Sequence, residues 1–108
     1  MEKPKGPVPM LVMYRVKPGN EKGFEGLLKK HWPALRSVDL ATDKPARMYR
    51  GHSKRGHGPE SVYVETFEWK DASAAEVAHQ TPEVMAVWEP MGPMLAGMDL
   101  IALEELPK

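Results

Sequence analysis

Glu65 and His79 are the residues of this chain best suited to moving protons, and Tyr63, Phe67 and Trp69 surround Glu65 at strand spacing. In a strand over Ser61 to Lys70, alternation places Tyr63, Glu65, Phe67 and Trp69 on one face. A carboxylate set among aromatics must pair with a cation or see its charged form disfavoured. Arg15, Arg47 and Arg50, on neighbouring strands, are the candidate cations, and a structural ion pair is the plainer reading. The other reading is a general base that takes a proton from a phenolic or enolic substrate. His79 lies near a break in a helical segment. An imidazole there can act as acid or base near neutrality, or can simply be bonded to a backbone carbonyl at the helix end. Trp69, at the strand's end, is either a core aromatic or one wall of an apolar cavity. Tyr14, Tyr49 and Tyr63 could each offer a phenol to a ligand, although strand tyrosines more often pack with a wet tip. His31 falls on the apolar stripe of a helix, as a core histidine or as one reaching a cavity between helix and sheet.

Other chemistries have less to work with. The chain has no cysteine, which removes thiolate catalysis, disulfides and cysteine-held metals. His52 and His57 bracket a glycine-rich stretch, HSKRGH, but two histidines fall short of a zinc site. The expectation is no metal and no cofactor. Met85, Met91, Met94 and Met98 cluster late in the chain and read first as core filler, and second as an adaptable pocket lining. Fifteen basic residues balance fifteen acidic ones, so no basic excess marks a nucleic-acid partner. No apolar run is long enough to span a membrane, and MEKPKGPVP lacks the apolar core of a secretory leader. The expectation is a soluble, cytoplasmic protein.

The elements that must hold these residues follow from periodicity. Residues 1–9, with three prolines and a glycine, read as a flexible arm before a domain over 10–106. Met10 to Lys17 is a strand with Met10, Val12, Tyr14 and Val16 on one side and Leu11, Met13 and Arg15 on the other. Asn20 is placed to cap a helix carrying Phe24, Leu27, Leu28, His31 and Leu35 on one stripe, with Pro33 expected to bend it. Arg47 to His52 is a short strand, joined through a mobile connection to the strand bearing Glu65. Asp71 is placed to cap a second helix from Ala72, which Thr81-Pro82-Glu83 restarts and Pro90, Gly92 and Pro93 end. Met98 to Leu103 is the last strand. The order β-α-β-β-α-β is the α+β, ferredoxin-like arrangement: a four-stranded antiparallel sheet with two helices on one face. Strands one, three and four are apolar on both sides, so the face without helices calls for a cover. A second copy packed sheet to sheet supplies it, which predicts a homodimer.

The stretch FEWKDASAAEVAHQTPEV, residues 67–84, adds a family likeness: a strand ending in Trp, a charged cap, an Ala-rich turn, a His and a Thr-Pro restart. It resembles the antibiotic biosynthesis monooxygenase superfamily of dimeric α/β barrels, and the element order over residues 10–106 agrees. In its cofactor-independent oxygenases a Trp ends the third strand and lines the substrate cavity, which Trp69 matches. An Asn four residues earlier is there replaced by Glu65, which as a carboxylate accepts hydrogen bonds but cannot donate one to an oxyanion. The family commonly turns a His at the position of His79 toward the cavity. The haem-degrading branch would need an Asn near Val12 and a His near Val87, Trp88 or Glu89, and this chain has neither. The resemblance thus implies a cofactor-free monooxygenase for a small aromatic or quinol-type compound between sheet and helices. Glu65 or His79 would be the base, Trp69, Tyr63 and Phe67 would shape the pocket, and Tyr14 and His31 would be within reach. The absence of a complete nucleophile–base–orienter set supports the alternative of a non-catalytic dimer that binds a small molecule or serves a larger complex.

Overall fold

A computed structural model describes residues 6–56 and 58–107 of the chain. The elements are β1 (Val8–Val16), α1 (Glu21–Ser37), β2 (Arg47–Gly51), β3 (Ser61–Trp69), α2 (Ala74–Ala78), α3 (Pro82–Met91) and β4 (Leu95–Ala102), with a 3-10 turn at Gly92–Met94 before β4. The strands form one antiparallel sheet in the order β2-β3-β1-β4, open at both edges. The architecture is the expected ferredoxin-like one, with the second helix divided into α2 and α3.

Alternation decides what the sheet buries. Val12, Tyr14 and Val16 of β1 and Tyr63, Glu65, Phe67 and Trp69 of β3 are all buried, while the residues between them are only partly covered. The register sets Tyr14 beside Tyr63, Val12 beside Glu65 and Met10 beside Phe67. Helix α1 answers with Phe24, Leu28, His31 and Leu35, four buried residues at helical spacing. Phe24 is fully buried as a wedge between Tyr14 and Tyr63, with ring centroids 4.9 and 5.3 Å away. The opposite sheet face has no helix. Leu11, Met13, Val62 and Val64 lie half-buried in its centre, with exposed Tyr49 and Ile101 flanking them and an Arg15–Asp99 ion pair at 3.2 Å across it.

Several boundaries differ from the sequence reading for definable reasons. β1 begins at Val8 and includes Pro9, because a proline near a strand start loses only its donor. The Pro9 carbonyl still accepts a hydrogen bond from the Leu103 N–H at 2.8 Å. β4 begins at Leu95, since the Lys17 N–H bonds the Met94 carbonyl at 2.8 Å and draws the chain onto the sheet early. Asn20 sits at the head of α1 without capping it; its side chain turns back to the Lys17 carbonyl, and Glu21 accepts the Gly19 N–H at 2.9 Å. Asp71 builds a turn onto Ser73 instead of a cap, so helix begins at Ala74 and not Ala72. Thr81 heads α3 with Pro82 in its first turn, yet the Thr81 hydroxyl donates backward to the Val77 carbonyl. Pro33 and Pro90 both lie inside helices that run past them. His57, of the HSKRGH stretch, lies outside the described residues. Among the described residues no helix is long and apolar enough to cross a membrane.

Phe24→Ala should cost about 3–5 kcal/mol of unfolding free energy by urea titration, because it empties a fully enclosed aromatic site. Met48→Ala, at an exposed position on β2, should stay within about 0.5 kcal/mol of the parent.

Candidate functional site

The polar centre of the core is a hydrogen-bonded chain of four side chains from four elements. Glu65 on β3 is completely buried. Tyr14 on β1 donates its hydroxyl to Glu65 Oε1 at 2.7 Å, and His31 Nδ1 on α1 lies 2.9 Å from both carboxylate oxygens. Trp88 on α3 donates its indole N–H to His31 Nε2 at 2.8 Å. The expected ion pair of Glu65 with an arginine is therefore absent. Arg15 reaches Asp99 on the open face, Arg50 bonds Ser61 and lies over the Tyr63 ring, and Arg47 is exposed at the sheet edge. An inward arginine would need its charge as deeply buried as Glu65; neutral donors satisfy the carboxylate without desolvating a second ion.

The donors also set the imidazole's tautomer. An indole N–H can only donate, so His31 Nε2 must present a lone pair to Trp88. The ring proton then sits on Nδ1, facing Glu65. A second proton, on Nε2, would set N–H against N–H. Burial, and then the Glu65 charge and hydrogen bond, push the Tyr14 phenol far above its ordinary range, so it stays a donor.

Against this chain lies an apolar cavity of about 400 Å³ between the sheet and α2–α3. Its volume is within the range of small-molecule sites. The aromatic walls meet edge to face: Phe67 and Trp69 at 4.9 Å, Trp69 and Trp88 at 6.5 Å, and His79 and Trp88 at 4.9 Å between centroids. Methionines 10, 85, 91 and 98 fill much of the remaining wall. Met98 is half-exposed because no helix lies over that part of β4.

The structure sorts the residues singled out from the sequence. Trp69, Phe67, Tyr14, His31 and His79 all line the cavity. His79 is exposed, and no side-chain hydrogen bond engages its ring among the described residues. Glu65 stands behind Tyr14 and His31, outside the lining, and touches the cavity only through them. Tyr63 is turned away: its hydroxyl donates to Glu25 of α1 at 2.5 Å, because the register carries it to the far end of that helix. Met94 packs near Gly23 and does not reach the cavity. Trp88 is not among the candidate residues that the sequence offers. Its bond to His31 spans 57 residues, and no local pattern announces such a pairing. Among the described residues no group of three His, Asp or Glu is placed to hold a metal ion.

Comparison with solved structures finds the same architecture in proteins named as antibiotic biosynthesis monooxygenases. One from Caulobacter crescentus superposes with a TM-score of 0.68 at 18% identity, covering 97% of this chain and 94% of its own. One from Nitrosomonas europaea gives 0.67 at 14% identity, over 98% and 96% of the two chains. A third protein of that name gives 0.69 at 13% identity, over 93% and 99%. The chain thus has the antibiotic biosynthesis monooxygenase fold, as the residue 67–84 likeness implied; at these identities the likeness is one of fold. No protein-family model and no curated protein matches the sequence.

Two measurements probe the buried chain. Burial and the Glu25 hydrogen bond push the Tyr63 phenol up to about 12, and Tyr14 is raised further in the same direction. An unfolded tyrosine loses its proton near pH 10, so the stability held in these shifts is complete below about pH 10 and lost as the pH rises. The thermal midpoint should therefore fall steadily above about pH 10, and Tyr63→Phe should flatten part of that fall. Glu65→Gln should cost about 1–3 kcal/mol in chemical denaturation, because an amide cannot accept from both Tyr14 and His31 without leaving its own N–H groups unpaired.

Proposed function

We propose that the cavity binds a flat, largely apolar aromatic compound carrying a hydroxyl or enolisable carbonyl, and that the protein oxygenates it without a metal or dissociable cofactor. The observation that carries this reading is the juxtaposition of aromatic cavity walls with titratable groups. Phe67, Trp69 and Trp88 enclose the space, His79 stands on its wall, and the Glu65 chain lies directly behind it. The names of the fold neighbours support the oxygenation part of this reading and no more.

The chemistry asks little beyond proton transfer and exclusion of water. A base removes a proton from a phenol or from the carbon beside a carbonyl, leaving an electron-rich anion. That anion reacts with O₂ to give a peroxide at carbon. For a ring CH₂, one oxygen atom stays as a new carbonyl and the other leaves as water with the two hydrogens. The proton acceptors are His79, directly, and Glu65, through the residues it touches. Trp69 and Phe67 hold the ring plane, and Tyr14 forms the floor.

A non-catalytic binding role is the second reading. It is favoured by the saturation of the polar chain, in which Tyr14, Glu65, His31 and Trp88 already bond one another. Oxygen consumption with a panel of quinols and anthrones separates the two. Turnover that drops at least about a hundredfold in Glu65→Gln or His79→Ala supports proton abstraction, the scale that one general base contributes. Binding across the panel with no oxygen uptake favours the second reading, and turnover untouched by either change removes both proposed bases.

The open sheet face, apolar at its centre, is proposed to be covered by a second copy of the chain. Sedimentation equilibrium at micromolar concentration should then give about twice the 12.1 kDa chain mass. A persistent monomer would show that the face is left to water.

A further inference from the structure

Building on the reading of the cavity as a site for a hydroxylated aromatic, we propose that His31 is the group that receives the ligand's hydroxyl proton, with Glu65 as its positioning carboxylate and the Trp88 indole as the donor the hydroxyl displaces. Both His31 and Trp88 line the cavity, and a 2.8 Å hydrogen bond joins them. Behind that bond the arrangement is a carboxylate–imidazole dyad. His31 gives its Nδ1–H to a fully buried carboxylate and turns its Nε2 lone pair to Trp88, a residue of the cavity wall. Such a carboxylate fixes the ring's orientation and stabilises the imidazolium that forms when Nε2 takes a proton.

In the structure the Trp88 N–H occupies that lone pair. A ligand hydroxyl is both donor and acceptor, so it can sit between the two rings, donating to Nε2 and accepting from the indole. One hydrogen bond is replaced by two. Two ordinary bonds meeting at one oxygen need the nitrogens about 4.5–5 Å apart, so the indole must swing by roughly 2 Å. Trp88 is only partly buried, and the neighbouring Met85 and Met91 are pliant side chains that can follow it. The proton step is balanced: the ligand O–H bond breaks, the proton forms an N–H bond at Nε2, and the electron pair stays on oxygen. Trp88 then donates to the oxyanion, and the imidazolium keeps its Nδ1–H on Glu65. The site thereby selects phenols and enols over aromatics that offer only an acceptor, such as ethers.

The test uses the full-length protein with 1-naphthol and 1-methoxynaphthalene, which share a ring system and differ in the donor. The nitrogen resonances of the His31 ring and the indole N–H of Trp88 are followed by NMR during titration. The expected result is a roughly tenfold tighter binding of 1-naphthol, the scale of one net hydrogen bond in a dry site. It should come with displacement of both the His31 Nε2 and the Trp88 N–H signals. His31→Phe should then bind the two compounds alike; if that variant does not fold, the wild-type titration decides alone. Equal binding with both signals unmoved overturns the inference and leaves the cavity reading standing. A preference for 1-naphthol without movement of those signals places the hydroxyl elsewhere, as at His79, and overturns it too. If neither compound binds, the cavity reading fails and this inference fails with it.

Discussion

The constraint on which the rest of this structure depends is the need to satisfy a carboxylate that no water reaches. Glu65 is sealed between the sheet and α1, and an unpartnered charge there would be prohibitive. Tyr14 and His31 supply its donors, and Trp88 supplies the donor that His31 in turn requires. Each comes from a different element, so β1, β3, α1 and α3 can dock only in the arrangement that closes the chain. Apolar packing tolerates small slides between elements; hydrogen bonds of this directionality do not.

The same chain explains why a hollow persists beside a well-packed core. α3 is drawn toward α1 by the Trp88–His31 bond, while β4 stands at the sheet edge on the other side of β1. Phe24, Leu28 and Leu35 fill the space beneath α1, but nothing of comparable bulk from α2 or α3 covers Met98 and Leu100. The space left over is lined by aromatic edges and methionine side chains, surfaces that accept flat guests of varied outline. The fold shared with the Caulobacter and Nitrosomonas proteins supplies the scaffold, and these particular side chains give the hollow its character.

Much of the fold was legible because its signals are local. The period-two pattern of β3 placed Tyr63, Glu65, Phe67 and Trp69 on the buried face, and the α1 stripe of Phe24, Leu28, His31 and Leu35 emerged from helical spacing. Thr81-Pro82 marked the division of the second helix, as Pro at a helix start should. What misled was chemistry with more than one local solution. Asn20 and Asp71 are both good cap residues and both good turn residues, and each took the turn. Pro9 looked like the end of an arm because its missing donor is visible in the sequence, while its remaining carbonyl bond to Leu103 is not.

The candidate site was legible in its members but not in their partnerships. By itself the sequence determined the element order, the face on which Glu65, Trp69 and Tyr14 lie, and the helix stripe that bears His31, because side-chain direction follows from backbone periodicity within a few residues. Only the tertiary structure decided that Glu65 takes Tyr14 and His31 instead of an arginine, that Trp88 holds the imidazole in one tautomer, and that Tyr63 turns away to Glu25. Those bonds join residues 34, 38, 51 and 57 positions apart. Periodicity sets only the face on which a side chain lies; distance and angle across the core, set by the docking of α1 and α3 on the sheet, choose its partner.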